Sequence, residues 1–237
     1  MSRNRSEQSS VVVPFDGAQH GHFLQPKWGD GPWGDGTLDD RFEAVRPLIR
    51  GESVLDVGCA SRYGKADWIH GRLARQLPDV VGIDINAGAI EDLREAGFDV
   101  RQADAEDFDL GQRFDTVFAG ELIEHLNNVG RFLTSARRHL RPGGRLVLTT
   151  PNAFYVANFV YRWGGHGQVH PEHKCWYCAD TLRHALEANG FSDVEISFTG
   201  HTSPAPLRKA ATSVSRRMLP PQLALDTLLA VATPTAN

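Results

Sequence analysis

The apolar positions of this 237-residue chain fall into short runs separated by stretches with helical spacing. From Ser53 onward the alternation is regular. "SVLDV" reads as a buried strand, followed by a glycine-containing loop and a helix reaching about Gln76. "DVVGID" is a second strand, and "NAGAIEDLREAG" is a helix with Asn86 as N-cap and Gly97 as its stop. "FDVRQA" and "FDTVFAG" are the third and fourth strands, a helix around 128–140 is ended by "RPGG", and "RLVLTT" is a fifth strand cut by Pro151. "CADTLRHALEANG" predicts a helix with Asp180 as N-cap, before two more strands, "FSDVEISF" and "LDTLLAVAT". Upstream, Thr37 as N-cap, Asp39 and Asp40 in a first turn and Gly51 past the end predict an N-terminal helix. Short apolar runs between amphipathic helices indicate a parallel sheet buried on both faces.

This pattern divides the chain into a disordered tail over 1–18 and one domain over 19–237. Within that domain, 19–51 forms a flap and helix, 52–151 the core, 152–178 a lid-like insertion, and 179–237 the closing helix and strands. Trp28 and Trp33 in the flap need a surface to pack on, so that segment is expected to be ordered. Composition adds a bound: 41% hydrophobic, 23% charged and a net charge of -4 describe an ordinary globular chain. The acidic balance argues against an extended nucleic-acid surface. No apolar run approaches the roughly 20 residues that cross a bilayer, and "MSRNRSEQSS" lacks the apolar core of an export signal. Cys59, Cys175 and Cys178 make an odd count that suits a reducing compartment, so a cytoplasmic location is expected.

In an open parallel sheet, ligands sit beyond the carboxyl ends of the strands. The first strand ends in Asp56 and then Gly58-Cys59-Ala60, small residues that admit a ligand to backbone amides and to a helix N-terminus. The second ends in Asp84, 20 residues past Gly64, an acid able to accept both ribose hydroxyls. The third leads to Asp104, able to accept from an exocyclic amine, and the fourth runs into "AGELIEHL" with Glu121, Glu124 and His125. A dinucleotide would require G-x-G-x-x-G, yet this loop has Gly58 and Gly64 with bulky Arg62 and Tyr63 between them. S-Adenosyl-L-methionine has no phosphate, and three acids supply acceptors for its ammonium, ribose and adenine amine.

In order, "VLDVGCAS", "VVGIDIN", "ADAED", "FDTVFAGELIEHL" and "LRPGGRLVLTTPN" resemble the class I S-adenosylmethionine-dependent methyltransferases. The resemblance is to the type-11-like small-molecule group related to ubiquinone-biosynthesis O-methyltransferases, and it covers roughly residues 40–152. It implies an α/β, Rossmann-like seven-stranded sheet with helices on both faces and the last strand antiparallel, inserted between its neighbours. It implies Gly58, Cys59 and Ala60 at the methionine moiety, Asp84 on the ribose, Asp104 with Ala105 at adenine, and Gly120 and Glu121 beneath the sulfonium, with Asp56, Ser61 and Ile85 also counted as cofactor-binding. The departure is "ASRYG", where relatives carry further glycines; Arg62 is expected either to point out of the loop or to meet the methionine carboxylate.

The expected reaction is methylation of a hydroxyl on a small metabolite such as a sugar, polyketide or quinone-like compound, yielding S-adenosyl-L-homocysteine. Methyl transfer to oxygen needs a held acceptor and usually a base. His125, His166, His170 and His173 are candidates on the strand-end face, with Glu124, His125 and His173 taken as the catalytic set; Glu124 and His125 could equally cap a loop. Glu121-x-x-Glu124-His125 with His170 or His173 also resembles the Mg²⁺ set of small-RNA 2'-O-methyltransferases, an alternative to the metal-free reading. A zinc set of His170, His173, Cys175 and Cys178 is weaker, because alternate residues of an extended stretch point apart. A binding protein without acceptor chemistry is a further alternative. The partner expected is a small-molecule acceptor, without membrane or nucleic acid, and a homodimer is left open. The basic segment 200–217, with Arg208, Lys209, Arg216 and Arg217, is expected to be a solvated face.

Overall fold

In the computed structural model, which describes residues 13–14, 39–63, 68–163, 170–200 and 217–235, the chain forms one mixed sheet with helices against both faces. The first half holds β1 (Val13–Pro14), α1 (Asp39–Val45), β2 (Ser53–Val57), α2 (Ile69–Ala74), β3 (Asp79–Asp84), α3 (Ala87–Glu95), β4 (Val100–Gln102) and β5 (Phe114–Gly120). There follow α4 (Val129–Arg138), β6 (Leu140–Pro151), α5 (Val156–Trp163), α6 (Ala179–Ala188), β7 (Phe191–Thr199), α7 (Pro221–Ala224) and β8 (Thr227–Pro234). The order across the sheet is β1-β7-β8-β6-β5-β2-β3-β4. Neighbours from β4 through β6 pair in parallel, while β8 lies antiparallel between β6 and β7. All seven expected strands are present, and the last is the antiparallel, inserted one.

Period-two alternation explains the layers. Leu55, Val81, Val117 and Leu146 enter one core with Phe132 and Leu133 of α4 and Leu182 and Leu186 of α6. Their neighbours Val54, Val80, Phe118 and Val147 enter the opposite core with Phe42 and Val45 of α1 and Leu73 of α2. Each central strand is therefore apolar on both sides, which is why the strands read as continuous runs.

Four local expectations are corrected. Val13–Pro14, inside the segment expected as a disordered tail, add an eighth strand paired antiparallel with Phe198 and Ser197; Val13 suits a strand, and proline is tolerated at a sheet edge. "RPGG" does not separate helix from strand but lies within β6. Leu140 pairs with Phe114 and Arg145 with Thr116, and Gly143 takes φ +78° in the resulting bulge. The N-cap of α6 is Cys178 rather than Asp180: the Cys178 amide donates to Thr181 Oγ1 at 3.0 Å, closing a capping box, and Asp180 sits in the first turn. The insertion after β6 contains a helix, α5, that the sequence pattern does not announce. Thr37, the Trp28–Trp33 flap, His166, Arg208, Lys209 and Arg216 lie outside the described residues.

His139, buried between α4 and β6, fixes the loop that follows Asp104. Its Nδ1–H donates to Ser135 O at 2.7 Å, and Leu110 N–H donates to its Nε2 at 2.9 Å, so the imidazole is neutral. Burial holds it below the ordinary imidazole value, with Arg138 adding to the effect. The unfolded chain takes up this proton first as pH falls. Stability is thus full above pH 6.5 and declines from there through the lowered folded value, by at most about 1.4 kcal/mol per pH unit. Urea unfolding at pH 7.5 and 5.5 should show this decline in the parent chain and a shallower one in His139→Gln.

Candidate active site

Parallel register sets Asp56 of β2 beside Gly82 of β3 and Phe118 of β5, so the loops after these strands leave the sheet together. The first loop turns at Gly58, whose φ of +84° favours glycine. The amides of Gly58 and Cys59 both donate to Ile83 O, at 2.8 and 3.1 Å. The Ala60 amide donates to Asp84 Oδ2 at 3.1 Å, and Trp68 Nε1 donates to Cys59 O at 2.7 Å. These amides were expected to face a ligand; they are engaged inside the protein instead, which rigidifies the loop. Nor does a long helix start here, since α2 spans Ile69–Ala74. Arg62 is exposed, adopts φ +64° and borders a cavity of about 30 Å³ together with Arg41, Asp56, His70 and Gly120.

Two of the three predicted acids are held by the backbone. Asp84 also accepts from the Asn86 amide through Oδ1 at 2.9 Å, leaving lone pairs on a half-buried carboxylate. Asp104 is exposed and accepts from the Glu106 amide at 2.9 Å, with Ala105 half-buried beside it. Ile85, next to Asp84, leaves 67% of its surface open. Asp56 is buried and takes an unforeseen partner, His70 of α2, with Oδ2 3.1 Å from Nδ1. His70 Nε2 is also buried and has no hydrogen-bond partner among the described residues. The sequence signal for His70 was slight: one polar residue in an otherwise apolar helix face.

Beyond β5 the chain is strained and buried. Glu121 has φ +52°, and its Oε2 lies 3.9 Å from Arg41 NH2. Glu124, 1% exposed, accepts from Thr150 Oγ1 at 2.9 Å through Oε2, while Oε1 has no hydrogen-bond partner among the described residues. Burial, then the neighbouring Glu121, pushes its pKa up to about 8. The segment from His170 latches onto this turn, because the Lys174 and Cys175 amides donate to Glu124 O at 2.7 and 3.3 Å. That latch brings His170 and His173 to His125, with ring centroids 5.8 and 4.6 Å away from it. Burial lowers the pKa of His125, and burial followed by the charges of His125 and His170 pushes His173 down to about 4. The predicted catalytic set Glu124, His125 and His173 is thus brought together. Tyr177 packs inward and pairs as a bridge with Asn152.

The donor sets weighed for a metal fare differently. A hard cation such as Mg²⁺ prefers several oxygen ligands. Glu121 Oε2 approaches Arg41 and Glu124 Oε2 accepts from Thr150, and neither carboxylate joins the group of converging donors. Cys175 Sγ lies at 3.8 Å from Ile123 O, and Cys178 Sγ at 3.5 Å from Thr181 Oγ1, so the four-residue zinc set is not assembled. The converging group among the described residues is His125, His170 and His173, whose ligand atoms lie within 4.8 Å of one another.

A methyltransferase-domain family model matches residues 33–196, well over half of the chain. The chain belongs to the class I S-adenosylmethionine-dependent methyltransferases. Among curated relatives, the ubiquinone biosynthesis O-methyltransferase of Azorhizobium caulinodans is 36% identical over 135 residues, covering 51% of this chain and 51% of the relative. That of Nitrobacter winogradskyi is 31% identical over 172 residues, covering 67% and 63%. The chain therefore spans about half to two thirds of the length of these relatives. Solved structures share the methyltransferase fold: a SAM-dependent methyltransferase from Archaeoglobus fulgidus (TM-score 0.57, 20% identity, 83% of this chain and 94% of that one). N-methyltransferase NodS from Bradyrhizobium japonicum, in complex with S-adenosyl-L-homocysteine, gives TM-score 0.55 at 19% identity over 85% and 90%. No helix among the described residues is long and apolar enough to cross a membrane.

In this member of the family the absence of a side chain at Gly82 holds the first loop and α2 in register. An added Cβ would meet Cys59 Sγ at 2.6 Å and His70 Cε1 at 2.7 Å. Gly82→Ala should destabilise the protein by about 1–3 kcal/mol in urea unfolding and shift the His70 imidazole resonances.

Proposed function

We propose that this chain transfers the methyl group of S-adenosyl-L-methionine to a hydroxyl oxygen of a small-molecule acceptor. The observation that carries the cofactor half is the row of Asp56, Asp84 and Asp104 at three adjacent strand ends, with the open apolar face of Ile85 beside Asp84. Asp84 keeps its backbone bonds and offers its remaining lone pairs to the ribose hydroxyls. Ile85 gives the adenine ring an apolar surface, and Asp104 with Ala105 borders its amine. Asp56, oriented by His70, faces the methionine ammonium across Gly58, Cys59, Ala60 and Ser61. Gly120 and Glu121 lie where the sulfonium would meet the acceptor.

The preference for oxygen rests on the cluster of Glu124, His125 and His173, whose imidazoles burial keeps neutral and so able to accept a hydroxyl proton, and on the O-methyltransferase names of the curated relatives. Cofactor and acceptor need an in-line approach, which the latch of Lys174 and Cys175 to Glu124 serves by fixing one wall of the acceptor site.

Two experiments test this. Calorimetric titration with S-adenosyl-L-methionine should give one site, weakened at least tenfold in Asp84→Asn; absence of binding at millimolar cofactor would sink the assignment. Against a panel of catechols, phenols and sugars, S-adenosyl-L-homocysteine release should depend on the acceptor. His125→Gln should lower kcat by about 10²- to 10⁴-fold while the cofactor Kd stays within about twofold. Product release from amines alone would overturn the oxygen reading.

A further inference from the structure

Three imidazoles from two parts of the chain meet beside the turn that follows β5. His125 ends a short 3₁₀ turn after β5, and His170 and His173 come from the latched segment. Ring centroids of His170 and His173 are 4.9 Å apart, and one ligand atom from each of the three lies within 4.8 Å of the others. We propose that His125, His170 and His173 form a binding site for one borderline divalent cation of the zinc class, leaving a position open for an acceptor oxygen.

Ring packing alone does not account for the arrangement. The three rings are not in an apolar core: His170 is exposed and the other two are half-buried. Clustered imidazoles that cannot all be charged gain little from mutual contact, whereas neutral nitrogens converging on a point are what zinc, cobalt or ferrous iron takes up. Three imidazoles without an assembled carboxylate pair also separate this site from a magnesium site. A tetrahedral cation wants its nitrogens about 3.3 Å apart, so binding requires the three rings to close in from their present spacing.

A second observation points the same way. Glu124 is almost wholly buried, yet its Oε1 has no hydrogen-bond partner among the described residues and lies 4.0 Å from His125 Nε2. A buried acceptor of this kind is costly unless something positive or protic comes to it. A cation on His125 supplies that charge, with Glu124 behind it holding the imidazole in orientation. Glu172, whose Oε2 lies 3.9 Å from His125 Nδ1, adds negative charge on the solvent side. The open position suits a hydroxyl, which a bound cation makes more acidic. In this arrangement His125 acts on the acceptor through the cation rather than as a free base. The acceptor's place rests on the methyl-transfer reading above; the cation site does not.

The test uses the full chain stripped with chelator and titrated with cobalt(II) chloride alone. One equivalent should bind, with the visible absorption of a four-coordinate site of three nitrogens and one oxygen. His170→Ala and His173→Ala should each weaken binding at least tenfold, and His184→Ala on the exposed face of α6 should not. Should either variant fail to fold, zinc added to the parent chain must broaden or shift the imidazole signals of His125, His170 and His173 and leave that of His184 in place. No stoichiometric cobalt, binding that survives both substitutions, or displacement by millimolar magnesium would overturn the proposal. S-Adenosyl-L-methionine titrated into the same stripped protein keeps the two readings apart. Cofactor binding without cobalt removes the cation site alone; cobalt binding without cofactor removes the methyl-transfer reading alone.

Discussion

Asp56, Gly82 and Phe118 lie abreast on β2, β3 and β5, and this parallel register constrains the rest of the site. It puts Ile83 O where the amides of both Gly58 and Cys59 can reach it, so the first loop folds back on the second strand. It sets Asp84 beside that loop, where one carboxylate ties Ala60 to Asn86. Gly82 completes the constraint, since its missing side chain is the space filled by Cys59 and His70. A one-residue slip would send Asp56 to the other face of the sheet and exchange every core residue with its neighbour.

The strands were legible because each is apolar on both faces, a pattern that survives in a single sequence. The acids at their ends were legible because strand ends are where such sheets expose chemistry. Local hydrogen-bond competition was harder to read. Cys178 outcompetes Asp180 as N-cap through a reciprocal bond with Thr181, although N-cap preference alone ranks Asp180 first. "RPGG" has the composition of a connection, yet the pairing of β5 with β6 continues across it as a bulge. His70 escaped notice because its role depends on a partner 14 residues away in sequence, across the loop. The amides of the first loop were assigned to a ligand for the same reason: their acceptor, Ile83 O, belongs to a different strand.

The site has two halves with different physics. Around Asp84 the groups are held by short backbone bonds within adjacent loops, so this half is rigid without a ligand, as suits a cofactor common to a broad family. Around Glu124 the groups come from distant segments joined through one carbonyl, Glu124 O, and their charges are suppressed by burial. Such a half is set by the segment after β6, which reaches the turn after β5 through this latch. That difference explains why Asp56, Asp84 and Asp104 could be placed from strand ends, whereas the link from Glu124 O to Lys174 and Cys175 could not be read from the sequence.

Glu121 stands where the halves meet. A glutamate at φ +52° is disfavoured relative to glycine by about 1–3 kcal/mol, and the neighbouring Gly120 could have taken that conformation at no such cost. The strain is fixed from both sides: the Glu121 amide donates to Thr149 O at 2.9 Å, while any side chain at Gly120 would strike the Phe118 ring at 2.8 Å. A side chain is therefore excluded at residue 120, and the turn falls at residue 121. This turn carries Glu124 under Thr150 and His125 out toward His173. The backbone strain at Glu121 is the local cost of bringing the end of β5 within reach of the latched histidines, and it links the geometry of the sheet to the chemistry proposed there.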